Sequence, residues 1–216
     1  MAIAIKPRER DAILQSLRAG VVPRIGLQHI QVGRKDEVAA ILSDLDRIAQ
    51  DGATVRFIIG RYGSGKSFFL NLSRMVALEK KFVVVQADIS PERRLHASGG
   101  QARSLYSELM KNMSAGAKRD GGALPGLVEK WVSDVEFNVR QTDGDLSQAI
   151  YTSLKPLQDY VSGYDFATVI SKYVEGFEKG DDALMTASLR WMRAEYTTKM
   201  EARQDLGVRS IIGDQN

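Results

Sequence analysis

The residues best placed to do chemistry are Gly60-Arg61-Tyr62-Gly63-Ser64-Gly65-Lys66-Ser67, which fit the spacing Gly-x4-Gly-Lys-Ser. Glycines let the backbone curl until successive N–H groups point into one concavity, and that concavity suits phosphate oxygens. In such a loop Lys66 reaches the β- and γ-phosphates of a nucleoside triphosphate, and the Ser67 hydroxyl ligates Mg²⁺. Phe68 follows in the first turn of the next helix, whose N-terminal dipole favours the same anion. The whole run from Gly60 to Phe68 is therefore the expected binding segment, with Ser67 as the metal ligand. A glycine-rich turn between two elements is the bland alternative; a chance match in a chain this long is about a one-in-a-hundred event.

Such a loop needs a strand before it and a helix after it. Val55-Arg56-Phe57-Ile58-Ile59 is a short β-rich run. Downstream, Phe69, Leu72 and Val76, and Phe68, Leu72 and Met75, fall at helical spacings. Phe82-Val83-Val84-Val85-Gln86-Ala87-Asp88 then reads as the best strand in the chain. Strand, helix and strand with a right-handed crossover make a parallel pair. The fold expected is therefore α/β: a P-loop nucleotide-binding core with parallel strands around the loop, followed by a largely helical region. Two strands are too few for a full core, so the sheet is expected to be incomplete. Asp88 ends an apolar run, which invites a role as the Mg²⁺ acid. Its place on the second strand, with Ile89 and not another acid after it, argues against that role.

The stretch ahead of the loop is also patterned. Residues 8–19 read as a helix with Ala12, Ile13 and Leu17 on one face and Gly20 as its stop. Pro23 forces an extended connector. Ile30-Gln31-Val32-Gly33-Arg34 precedes a helix over 35–50 striped by Val38, Ile41, Leu42, Leu45 and Ile48, and Gly52 ends it. Beyond residue 101 the pattern is helical. Leu105, Leu109 and Met113 mark one helix, and 114–125 is a basic, glycine-containing loop. Leu127, Trp131, Val135 and Val139 mark a second helix, and Leu146, Ile150, Leu154, Leu157 and Val161 a third, kinked at Pro156. Phe166, Ile170, Tyr173 and Phe177 mark a fourth, and Asp181-Asp182 start a fifth with Leu184, Met185, Leu189, Met192 and Tyr196 inward. The aromatics suit a helical core better than a base-stacking platform. The organisation expected is a nucleotide-binding part over 1–100, a helical region over 101–205, and the start of a further element over 206–216.

Composition narrows the remaining choices. The 216 residues contain no cysteine and only two histidines, His29 and His96, so neither disulfides nor a thiolate or histidine metal site is expected. No run approaches a membrane span, and the start lacks the apolar core of a signal peptide, which makes the cytoplasm the default compartment. The net charge is +3, but residues 74–119 hold nine Lys/Arg against four acids. That basic segment could meet nucleic acid, or could be solvated lysines with a few structural arginines. Arg93, Arg94 and His96, in the polar loop after Asp88, could contact phosphate, nucleic acid or a neighbouring subunit, or pair with local acids.

An apolar residue, then Gly-Arg, then an amphipathic helix and a P-loop strand resembles the N-terminal part of AAA+ ATPases of the origin-recognition and signal-transduction branches. The resemblance implies that Val32 and Gly33 lie against the adenine of ATP; a tight turn capping the next helix is the other reading. At family level, Arg18-Ala19-Gly20-Val21-Val22-Pro23, Gly26-Leu27-Gln28-His29-Ile30-Gln31-Val32-Gly33-Arg34, the Gly60–Ser67 loop, Asp88-Ile89-Ser90-Pro91-Glu92-Arg93-Arg94-Leu95 and Leu206-Gly207-Val208-Arg209 resemble the ATP-binding proteins of bacterial BREX-type phage-defence loci. That resemblance spans essentially the whole chain. It implies ATP and Mg²⁺ as cofactors, other defence-system proteins as partners, DNA contacted through a region outside this chain, and a homo-oligomer in the full-length protein.

No apolar strand ending in paired acids follows residue 101, and Gly213-Asp214 is a poor substitute. Hydrolysis needs a Mg²⁺ acid and a water-orienting group. The expectation is thus the N-terminal part of a longer ATPase, weakly active or inactive alone. Two alternatives stand beside it. A small-molecule kinase would suit the length but not the roughly 50 residues before the loop. A non-hydrolysing interaction module would use nucleotide only to hold its shape.

Overall fold

The computed structural model describes residues 5–23, 25–96, 99–142, 146–156 and 163–213. The chain divides into two compact units, Met1–Val84 and Val85–Asn216.

In the first unit, α1 (Pro7–Arg18), α3 (Lys35–Ile48) and α4 (Lys66–Glu79) fall where helical spacing predicts them, and a short α2 (Leu27–Ile30) that the sequence pattern does not mark lies between α1 and α3. Leu27, Phe69 and Leu72 are buried together, with Val38 and Ile41 of α3, Ile58, Phe68 and Met75 packed against them. The contacts of α4 with α2 and α3 thus fix where its N-terminus points. Leu17 of the predicted α1 stripe is exposed, and only Ile13 of that helix is buried.

The α/β expectation fails. Helix takes 61% of the structure and strand 2%, and the described residues form no sheet. Residues 53–59 belong to no strand and form no β-bridge among the described residues, and Val55, Phe57 and Ile59 are 82%, 84% and 93% exposed. The run Phe82–Asp88 is crossed by the boundary between the two units, and Val83 and Val85 are exposed. The physical reason is that β-propensity records fit to a half-buried pleated surface, whereas a parallel pair survives only when both faces are covered.

What holds residues 52–60 in place is α3. Arg56 Nε donates to Asp44 Oδ2 at 2.6 Å and Thr54 Oγ1 donates to Asp44 Oδ1 at 3.3 Å. The Arg56 guanidinium holds the Asp44 carboxyl below its ordinary value of 3.8, against the opposing effect of desolvation. A lowered folded-state pKa stabilises above the unfolded value and is lost as pH falls through the folded one. Unfolding followed from neutral pH downward should therefore show an acid-side loss below about pH 4 that Asp44→Asn diminishes. An unchanged acid limb in Asp44→Asn would show that the contact does not hold the segment.

The second unit is a helical assembly of α5 (Gln101–Lys111), α6 (Leu124–Thr142), α7 (Leu146–Leu154), α8 (Gly163–Lys179), α9 (Asp182–Met192) and α10 (Lys199–Leu206). Its core gathers Val128, Val132, Ile150, Leu154, Ile170, Tyr173, Trp191, Tyr196 and Val208. The axis of the unit is α8 packed along α9, with Phe166 and Trp191 ring centroids 6.2 Å apart. Asp181 caps α9 by accepting from Leu184 N at 3.0 Å, as its position in the sequence predicts. α7 stops at Leu154 and a tighter turn covers Lys155–Pro156; the kink expected at Pro156 falls at the edge of the described residues. The predicted core positions Leu157 and Val161, the side chain of Leu146, and Asp214 lie outside the described residues. Burial, with Glu129 beside it, pushes the Tyr173 hydroxyl up to about 12, so it stays neutral and donates to Glu129 Oε1 at 3.3 Å.

Candidate functional site

The irregular segment over 52–60 delivers Gly60, and α4 begins six residues later at Lys66. Between them the chain turns sharply, with Ser64 N donating to Arg61 O at 3.2 Å. A Cβ added at Gly60 would sit 2.5 Å from Ser64 Oγ and 3.3 Å from Ser64 Cβ, so any side chain there would have to displace Ser64. Gly65, at φ +81°, is the N-cap of α4 and supplies no side chain to cap it. The first helical bond runs from Phe69 N to Gly65 O at 3.0 Å. The N–H groups of Lys66, Ser67 and Phe68 therefore have no intrahelical acceptor.

Lys66 Nζ turns back into the loop and donates to Gly60 O and Arg61 O, each at 2.9 Å. Beside it opens a cleft of about 360 Å³ walled by Arg34, Glu37, Arg56, Gly60, Ser64 and Lys66 on its polar side and by Phe57, Ile58, Ile59 and Phe69 on its apolar side. Uncapped N–H groups, an ammonium and a glycine-lined turn are the donor set that a polyphosphate needs, so the residues fit that group.

The sequence-predicted residues divide in three ways. Gly60, Ser64 and Lys66 meet in the cleft wall. Arg61, Tyr62 and Gly63 form the exposed tip, and Ser67 is exposed in the first turn of α4 while Phe68 packs inward on the Leu27 cluster. Val32 is 90% exposed and Gly33 has open space around it; the cleft takes their neighbour Arg34 instead. Asp88 is exposed and belongs to the second unit. No group of three His, Cys, Asp or Glu able to hold a metal occurs among the described residues. A cation here would draw on the Ser67 hydroxyl and on phosphate oxygens, the usual way Mg²⁺ is held beside a nucleotide.

Arg34 is the residue that sequence reasoning passed over. It adopts φ 55° as the N-cap of α3. Its Nη2 donates to Ser64 O, and its guanidinium lies 5.5 Å from the centroid of the Phe69 ring. The Gly-Arg pair directly before a helix was the available signal. Of the downstream basic residues, Arg93 takes the local option, pairing with Glu108 at 3.2 Å; Arg94 and His96 are exposed.

No helix among the described residues is long and apolar enough to cross a membrane. A family model described as "BREX system ATP-binding protein BrxC/D" matches residues 5–216. No curated protein and no solved structure matches the chain.

Proposed function

Since the chain belongs to the family of BREX system ATP-binding proteins BrxC/D, we propose that it binds the polyphosphate of ATP at Gly60–Ser67 and serves as the nucleotide-binding part of an ATPase in defence against phage. The observation that carries this reading is the uncapped start of α4 on a glycine turn, with the Lys66 ammonium folded onto the loop's own carbonyls. Those carbonyls are neutral acceptors. A phosphate oxygen is charged and forms the stronger bond, so an arriving triphosphate draws Lys66 off Gly60 and Arg61 and onto its β- and γ-oxygens. The N–H groups of Lys66, Ser67 and Phe68 then take the oxygens nearest the helix. Ser67 is the protein ligand for Mg²⁺ in this arrangement, and Val32 and Gly33, next to Arg34, stand on the adenine side. Other defence-system proteins, DNA and further copies of the chain complete the proposed set of partners.

The test is Mg-ATP binding by calorimetry on the wild type beside Lys66→Ala. A charge-assisted contact contributes roughly 1.5–3 kcal/mol, so the variant should bind about ten- to a hundredfold more weakly. Equal affinities would remove the loop from the binding site. Turnover measured in the same samples separates this reading from a kinase: phosphoryl transfer to a small-molecule acceptor would favour the kinase.

A further inference from the structure

The geometry points to Arg34 as a second phosphate-binding cation of the Gly60–Ser67 cleft, one whose contribution grows with the charge of the polyphosphate. The inference rests on the triphosphate reading above and goes beyond it by naming a residue outside the loop.

Three observations support it. The first is position. Arg34 lines the same cleft as Gly60, Ser64 and Lys66, although it is 30 residues from Ser64 in the chain. The second is fit. Arg34 Nη2 would lie 3.1 Å from a Cβ placed on Gly65, so the guanidinium rests on the face of the loop that glycine leaves bare. The third is charge. Three cations wall the cleft, and Arg56 is neutralised by Asp44 at 2.6 Å. Arg34 and Lys66 instead donate to backbone carbonyls, and neither is ion-paired among the described residues. Glu37 is the single acid in the cleft wall among the described residues.

A guanidinium presents five N–H donors in a planar fork that matches phosphate geometry, and the bond to Ser64 uses only one nitrogen. Its stack on Phe69, itself fixed in the core of the unit, holds the fork over the loop. Arg34 and Lys66 thus present two unneutralised charges to one ligand. A monophosphate satisfies little of that pair, and a triphosphate satisfies both.

The experiment measures AMP, ADP, ATP and inorganic tripolyphosphate binding to the wild type, Arg34→Gln, Arg34→Lys and Lys66→Ala, with thermal melts to verify folding. Glutamine keeps a stem over Phe69 and removes the charge. Arg34→Gln should weaken ATP and tripolyphosphate about tenfold or more and AMP far less, and Arg34→Lys should recover part of the loss. An equal loss on every ligand would overturn the proposal and leave Arg34 as a support for the loop; so would unchanged ATP affinity. The Lys66→Ala arm separates the two failures. If Lys66→Ala loses ATP while Arg34→Gln does not, the loop reading stands and Arg34 falls. If Lys66→Ala binds ATP like the wild type, the loop reading falls, and the inference with it.

Discussion

Trp191→Ala should lower the stability of the helical unit by about 3–5 kcal/mol, the range for emptying a buried tryptophan site. The side chain is 1% exposed and sits where α8 and α9 meet, against Phe166. Its indole Nε1 also donates to Ser210 O at 2.9 Å, nineteen residues on, so the same substitution strands a carbonyl and loosens the segment after α10. Denaturant unfolding measures the loss directly, and a melt should fall by roughly 10 °C or more for a unit of this size. Trp191→Phe keeps most of the packing and loses the hydrogen bond, so its cost should be nearer 1–2 kcal/mol. A change under about 1 kcal/mol in Trp191→Ala would mean that the α8–α9 junction is not the centre of this core.

Asp165→Ala should have the next largest effect. Asp165 is 7% exposed in the first turn of α8, and one oxygen, Oδ2, accepts from Arg209 N at 3.2 Å, Ser210 N at 2.8 Å and Ser210 Oγ at 2.5 Å. Removing the carboxylate orphans three donors together, and leaving a buried donor unpaired costs about 1–3 kcal/mol. The total expected is about 3–4 kcal/mol, because water reaches part of the opened site. A second readout is local. Gly207 ends α10 in the left-handed conformation, Val208 is buried, and Arg209 is exposed, so the segment is held by Asp165 and Trp191 and not by regular structure. Trypsin should cut after Arg209 much faster in Asp165→Ala than in the wild type, while Asp165→Asn keeps one acceptor and falls between them. Equal cutting rates in all three would show that Asp165 does not pin the segment.

Neither anchor was legible in the sequence. A bond between residues 19 or 45 positions apart leaves no periodic trace, and Leu206–Ile212 reads only as a short apolar run. The helices themselves were legible because each carries its own record of one face: Val38, Ile41 and Leu45 in α3, Phe69 and Leu72 in α4, Val169, Ile170 and Tyr173 in α8. Caps were legible for the same local reason, as with Gly20 after α1 and Asp181 before α9. The sheet was misread because a strand is half of a pair. The residues of 55–59 and 82–88 suit a pleated surface, but no local pattern says whether a partner exists. At the candidate site the loop announced itself through glycine spacing. The cation at the start of α3 did not, because it is 30 residues from Ser64 in the chain and no local pattern ties the two together.

The exposed segment before the loop also governs how the chain behaves in a crowd. From Thr54 to Ile59 it has high β-propensity, no proline and a single charge, and it belongs to no strand or bridge among the described residues. Such a segment is a template for strand addition from another molecule, and flanking or internal charges are what natural sequences use as gatekeepers. Here the gatekeeper is Arg56, and Asp44 cancels it. At neutral pH the segment is therefore electrically silent and exposes its apolar side chains, which favours clumping as concentration rises. Protonating Asp44 restores the charge. Acid below about pH 4 should thus work against the stability of the first unit and in favour of its dispersal.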